Sequence, residues 1–114
     1  MVKHRIAVAT NGKNGLQDRV SNVFGRAQTF TIIDTEDEEI TRVRTIENPA
    51  STYHHGAGPI VVKMLIDEGV EVVLAKELGI GASELLKQHE IVVKPANPQT
   101  KVQEAIKKVL SITQ

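Results

Sequence analysis

The sequence predicts an α/β fold, a single domain over residues 1–114 with a mixed five-stranded sheet (antiparallel hairpin plus parallel strands) and three helices. Three observations predict it. Ile6 to Thr10, Val70 to Ala75 and Ile91 to Val93 are short, nearly continuous aliphatic runs, the pattern of strands covered on both faces. Gln28 to Asp34 and Glu39 to Ile46 instead alternate polar and apolar residues with period two, the pattern of a hairpin with one wet face. Residues at helical spacing lie before, between and after the last two aliphatic runs, so right-handed crossovers put the hairpin on one side of the sheet and the last two strands on the other.

Ile6 to Thr10 closes on Asn11-Gly12 and Lys13-Asn14-Gly15, a cluster of turn formers. Between the hairpin strands, Thr35-Glu36-Asp37-Glu38 is solvated charge that protects an edge, and it is assigned no chemistry. After Asn48-Pro49 the chain becomes small and polar through Gly58. Pro59 then suits the first turn of a helix over Ile60 to Glu68, and Gly69 its left-handed stop. Val70 to Ala75 is expected to be central in the sheet. Gly79-Ile80-Gly81 opens a second helix through about His89, with Ala82, Leu85 and Leu86 at helical spacing. Thr100-Lys101-Val102-Gln103 has the form of a capping box, and Val102, Ala105, Ile106, Val109 and Leu110 repeat behind it along a terminal helix. The chain's 14 Val and 11 Ile supply a core without a metal or disulfide staple.

Composition narrows the chemistry. With 14 Lys+Arg against 14 Asp+Glu and only 3% aromatics, the chain lacks the basic stripes and stacking rings of a nucleic-acid surface. Zero Cys removes thiolate nucleophiles, redox pairs and any cluster held by the protein's own sulfurs. No run is long enough to span a membrane, and the start of the chain does not read as a signal peptide, so a cytoplasmic location is expected. GxGxxG, GxxxxGK[ST] and GxSxG are all missing, and Ile6 to Thr10 carries no acid of the kind a two-metal nuclease needs. The expectation is a protein without enzymatic activity.

In such a sheet the loops at the carboxyl ends of the parallel strands converge, and helix N-termini there present unpaired N–H groups. Three segments meet the description: Asn11-Gly12 and the loop that follows, His54 to Gly58, and Lys76 to Gly81. Gly12, Gly56, Gly58, Gly79 and Gly81 permit close approach of an anionic ligand or serve as turns and caps. His54 and His55 lack the spacing of a helical zinc motif, and adjacent residues of an extended loop point to opposite sides, so one of them faces a pocket or both are solvated. Tyr53 either lines the same wall or packs against it. Phe24 anchors the polar stretch around it, while Arg26 either offers a planar donor to an anion or forms a surface ion pair, as does Lys13.

The ordered set Ile6-Ala7-Val8-Ala9 with its Asn-Gly loop, Val20-Ser21, Phe24-Gly25-Arg26-Ala27, Ile46-Glu47-Asn48-Pro49, His55-Gly56-Ala57-Gly58 and Gly79-x-Gly81-Ala82 resembles the dinitrogenase iron-molybdenum cofactor biosynthesis family, the NifX-type domain also found at the C-terminus of NifB-like proteins. The resemblance runs from about Lys3 to Leu110. It implies a ribonuclease-H-like three-layer fold without nuclease residues, and a carrier or binding role for an iron-molybdenum or iron-sulfur cluster or a related small anion. A cluster-assembly protein is the partner it implies. Asn11, Gly12, Arg26, His54, His55, Gly56, Gly58, Gly79 and Gly81 are the binding residues it suggests, with His55 first and His54 second as metal ligands. Many relatives resemble His-Phe-Gly where this chain has Val23-Phe24-Gly25, so that position offers no imidazole here. The alternative of a different class is an interaction or regulatory domain whose loops bind a partner protein and no cluster.

Overall fold

A computed structural model describes residues 2–112. They form β1 (Lys3–Thr10), β2 (Thr29–Glu36), β3 (Glu39–Glu47), α1 (Ala57–Asp67), β4 (Val72–Leu74), α2 (Ile80–Gln88), β5 (Val92–Lys94) and α3 (Val102–Ile112), with a 3-10 turn at Gly15–Gln17. The strands make one sheet in the order β3-β2-β1-β4-β5. β1 pairs antiparallel with β2 and β2 with β3, while β1–β4 and β4–β5 are parallel. The mixed sheet, with the hairpin on one side and the last two strands on the other, follows the alternating and continuous apolar patterns. The middle place belongs to β1, with β4 one step away between β1 and β5.

Alternation along the strands divides the core into two layers. Ala7, Ala9, Phe30, Ile32 and Val73 pack with Val61, Val62 and Leu65 of α1 and Leu86 of α2. Ile6, Val8, Ile33 and Leu74 pack on the other face with Val102, Ile106 and Val109 of α3. The result is three layers, helix pair on sheet on helix. No described helix is long and apolar enough to cross a membrane.

Three expectations change in detail. β2 has no wet face: Thr29 through Ile33 are all buried, because the strand lies between β1 and β3 with apolar clusters on both sides. Thr29 and Thr31 go inside by pairing hydroxyls with Thr10 of β1, at 2.7 Å and 3.1 Å. The exposed strand of the hairpin is β3. β5 is not buried either; Val92 is 51% exposed because this strand is an edge, paired on one side only. No side-chain bond of the capping-box kind closes at Thr100–Gln103 among the described residues. The Val102 N–H instead donates to the Asp18 carbonyl at 2.9 Å, and the Gln103 side chain accepts from Gln17. At the hairpin tip, Asp37 and Glu38 both have positive φ, 51° and 74°, as a two-residue hairpin turn requires.

Both parallel connections place their helices on one face, so α1 and α2 lie side by side there. Their N-termini both stand at the carboxyl end of the parallel strands.

Candidate functional site

α1 begins after Gly56, whose φ of 75° is left-handed, a conformation glycine enters without a Cβ penalty. α2 begins after Gly79 in extended backbone. Neither N-cap supplies a side-chain hydrogen bond, so the first N–H groups of both helices keep their donor capacity and their positive dipole end.

A third segment, Phe24 to Ala27, is locked against these turns. Phe24 is buried and meets Phe30 edge to face, with centroids 5.5 Å apart. Asn48, also buried, donates through Nδ2 to the Gly25 carbonyl at 2.9 Å and the Ala27 carbonyl at 2.8 Å, and its Oδ1 accepts the Ala50 N–H at 2.9 Å. Small residues let the three segments touch: a Cβ on Gly25 would lie 3.2 Å from the Gly58 nitrogen, and one on Gly58 would lie 3.3 Å from Ala82 Cβ. Gly79 and Gly81 differ, since a Cβ on either would meet nothing within 4 Å. Neither their φ nor close packing demands glycine there; what the missing side chains leave is open space in front of the α2 N-terminus.

The segments enclose a groove of about 340 Å³ lined by Arg26, His54, His55, Gly56 and the first turns of α1 and α2. Gly58, Gly79 and Gly81 lie in its wall. No carboxylate lines it. The neighbouring depressions do carry one, Glu77 beside Val23 and Leu78, and Glu47 beside Asn11 and Lys13. His54, His55 and Arg26 are exposed, and Arg26 has no ion pair among the described residues. The arrangement offers imidazole nitrogens, a planar guanidinium and helix N–H donors to one ligand, with no fixed negative charge to repel an anion.

Asn11 and Gly12 stand apart from this groove, in the depression shared with Thr29 and Glu47. The Asn11 amide donates to Gln99 at 3.4 Å, and the Gly12 carbonyl accepts the Thr29 hydroxyl at 2.6 Å. Lys13 is paired with Glu47, whose carboxyl it holds below the usual carboxylate range. Tyr53 is half-exposed beside the groove. Among the described residues, no group of three His, Cys, Asp or Glu is placed to hold a lone metal ion.

Sequence reasoning missed Asn48 and Gly25 as the residues that position the groove. Asn48 read as a boundary before Pro49 and as part of a motif, but not as a positioning residue, because its two hydrogen bonds to the distant Gly25 and Ala27 carbonyls leave no periodic trace.

A sequence model of the family described as dinitrogenase iron-molybdenum cofactor matches residues 3–112. An uncharacterised protein of Methanocaldococcus jannaschii is 34% identical over 90 residues, covering 79% of this chain and 75% of that protein. The apo form of the orange protein from Desulfovibrio gigas superposes with a TM-score of 0.86 at 30% identity, covering 95% of this chain and 88% of that one. The solution structure of a Thermotoga protein described as a candidate NifB protein gives 0.79 at 37% identity, again over 95% and 88% of the two chains.

Proposed function

The chain belongs to the dinitrogenase iron-molybdenum cofactor family, and from that premise we propose that it is a non-enzymatic carrier that binds an anionic iron-molybdenum or iron-sulfur cluster, or a related small metal–sulfur anion, in the groove between the first turns of α1 and α2. The observation that carries this reading is the carboxylate-free lining. Arg26, His54 and His55 share the groove with two helix N-termini that lack side-chain caps.

The donor set suits a preassembled cluster better than a lone ion. A lone divalent metal needs several protein ligands, and no such group exists among the described residues. A cluster brings its own sulfides, so one or two imidazoles bonded to exposed metal atoms suffice to hold it in place. Its negative sulfur surface is met by N–H donors of the helix turns and by the Arg26 guanidinium. On this reading His55, directly before Gly56 and the left-handed turn into α1, is the first metal ligand, and His54 the second. Asn11 and Gly12 contribute to a neighbouring surface and not to the ligand shell. On this reading the fold is ribonuclease-H-like with a first strand, Lys3–Thr10, that carries no acid, and the protein's work is to hold and hand over its cargo to a cluster-assembly partner.

The test is an anaerobic titration of the protein with an iron–sulfur cluster and with tetrathiomolybdate, followed by absorption. Saturable binding that is lost in the His54→Ala, His55→Ala double variant, with the fold unchanged by circular dichroism, is the expected result. Unchanged affinity in that variant would remove the histidines from the site and leave a backbone anion pocket or a protein-docking surface.

A further inference from the structure

Three exposed apolar residues adjoin the groove's lining along the chain. Ile80, the first residue of α2, is 84% exposed, more than any other large hydrophobic residue among those described, and Val23 and Tyr53 are 42% and 41% exposed. Each is the chain neighbour of a groove-lining residue. Ile80 stands between Gly79 and Gly81, Val23 precedes Phe24, and Tyr53 precedes His54. Ile80 belongs to neither apolar cluster of the core, so packing within the chain does not account for it. Apolar side chains collected around a polar centre mark a surface that is covered in the working state.

The same groove meets its ligand from one side only. One chain offers two imidazoles and a guanidinium, with no cysteine anywhere in the sequence. A cluster docked there keeps an outer face that this chain does not reach. Resting on the carrier reading, we propose that two copies of this chain close face to face over one anionic metal–sulfur ligand, with Ile80, Val23 and Tyr53 forming the apolar seal and each copy supplying His54 and His55.

A second copy fits better than an unrelated partner for two reasons. A two-fold contact is isologous, so the groove supplies to the far side of the ligand the same donors it supplies to the near side, doubling the imidazoles without a new motif. And the two grooves carry Arg26 and helix N-termini with no lining carboxylate, so bare faces repel and an anion between them removes the repulsion. Glu77 lies in the adjoining depression, outside the groove itself. Pairing is therefore coupled to loading: the free chain is monomeric, and the ligand is enclosed only in the dimer.

Sedimentation velocity under anaerobic conditions, with tetrathiomolybdate as the probe and bound molybdenum measured on the same samples, tests this. The expected result is a 12.5 kDa species without the probe, a doubled mass at saturation and one molybdenum per two chains. Ile80→Ser, which keeps α2 because serine is well tolerated at a helix start, is expected to bind at least tenfold more weakly and to stay monomeric. Binding at one molybdenum per chain with no change of mass would overturn the pairing and leave the carrier reading standing. A dimer present without the probe, or one that Ile80→Ser leaves intact, would overturn the pairing as well. Absence of any binding by the unmodified protein would overturn both.

Discussion

Asn48 holds the groove together from outside it. Its side chain satisfies the carbonyls of Gly25 and Ala27 and the N–H of Ala50, the last two buried and Gly25 half-buried. Asn48→Ala leaves these groups without partners, which is expected to cost about 1–3 kcal/mol. Urea denaturation reads this as a lower midpoint at unchanged slope, and an unchanged midpoint would show that the loop repairs its own bonds. The glycines divide by the same logic. Gly81→Ala puts a methyl into open space at the start of a helix, where alanine is favoured over glycine by up to about 1 kcal/mol. Its melting temperature should stay equal or rise while affinity for tetrathiomolybdate falls. Gly56→Ala forces a Cβ into φ 75° and is expected to destabilise by roughly 1–2 kcal/mol. A Gly81→Ala variant that binds normally would mean that the open space in front of α2 is not used by the ligand. At this scale Arg26, His54 and His55 were legible from their residue types beside glycine-rich turns. Asn48 and Gly25 were not, since their importance lies in contacts made across the chain.

Among the elements, β1 and β2 show what local pattern can and cannot carry. Period-two alternation marked β2 as a strand, but alternation reports one wet face only when a strand has one uncovered side, and β2 lies inside the sheet with helices on both faces. Threonine is polar enough to read as solvent-facing, yet paired hydroxyls let it be buried. For β5 the error runs the other way. Ile91-Val92-Val93 reads as buried, and the topology leaves it at the edge. The two antiparallel strands are also joined by charge: Arg5 of β1 donates through Nε to Asp34 of β2 at 2.7 Å and through a terminal nitrogen to the Glu68 carbonyl at the end of α1, also at 2.7 Å. The hydrogen bond from Arg5 holds the Asp34 carboxyl below its usual range, with further attraction from Arg5, Arg44 and Arg42 against the cost of burial. A carboxylate depressed in the folded state contributes stability that is complete above its unfolded value of about 3.9 and is lost as pH falls through the folded value. Urea midpoints measured from neutral pH down to about pH 2.5 should therefore drop on the acid side, and Asp34→Asn should flatten that drop while lowering stability at neutral pH. An acid limb of the same steepness in the variant would place its cause elsewhere.

In the whole molecule, the sheet order β3-β2-β1-β4-β5 gathers the chemistry at one end. Because α1 and α2 share a face, their N-termini lie together, and the Phe24 to Ala27 segment needs only small residues at Gly25, Gly58 and Ala82 to close against them. The hairpin on one side of the sheet and the last two strands on the other were readable from the apolar patterns and helix placement, although the middle place went to β1 and not to the Val70 to Ala75 run, and this is why the convergence of the His54 and Gly79 segments could be anticipated. The separation of Asn11 and Gly12 from that groove could not, because it depends on where Thr29, Gln99 and Lys13 direct their side chains. The central claim is that an anionic metal–sulfur ligand sits against the first turns of both helices. Its most direct test is a titration of ¹⁵N-labelled protein with tetrathiomolybdate, a diamagnetic probe, followed by amide chemical shifts. Saturable shifts concentrated at Arg26, His55, Ala57, Gly58, Ile80 and Gly81 are the predicted result. A shift map centred on Asn11 to Glu47, or on the opposite end of the sheet around Val72 and Val109, would contradict it.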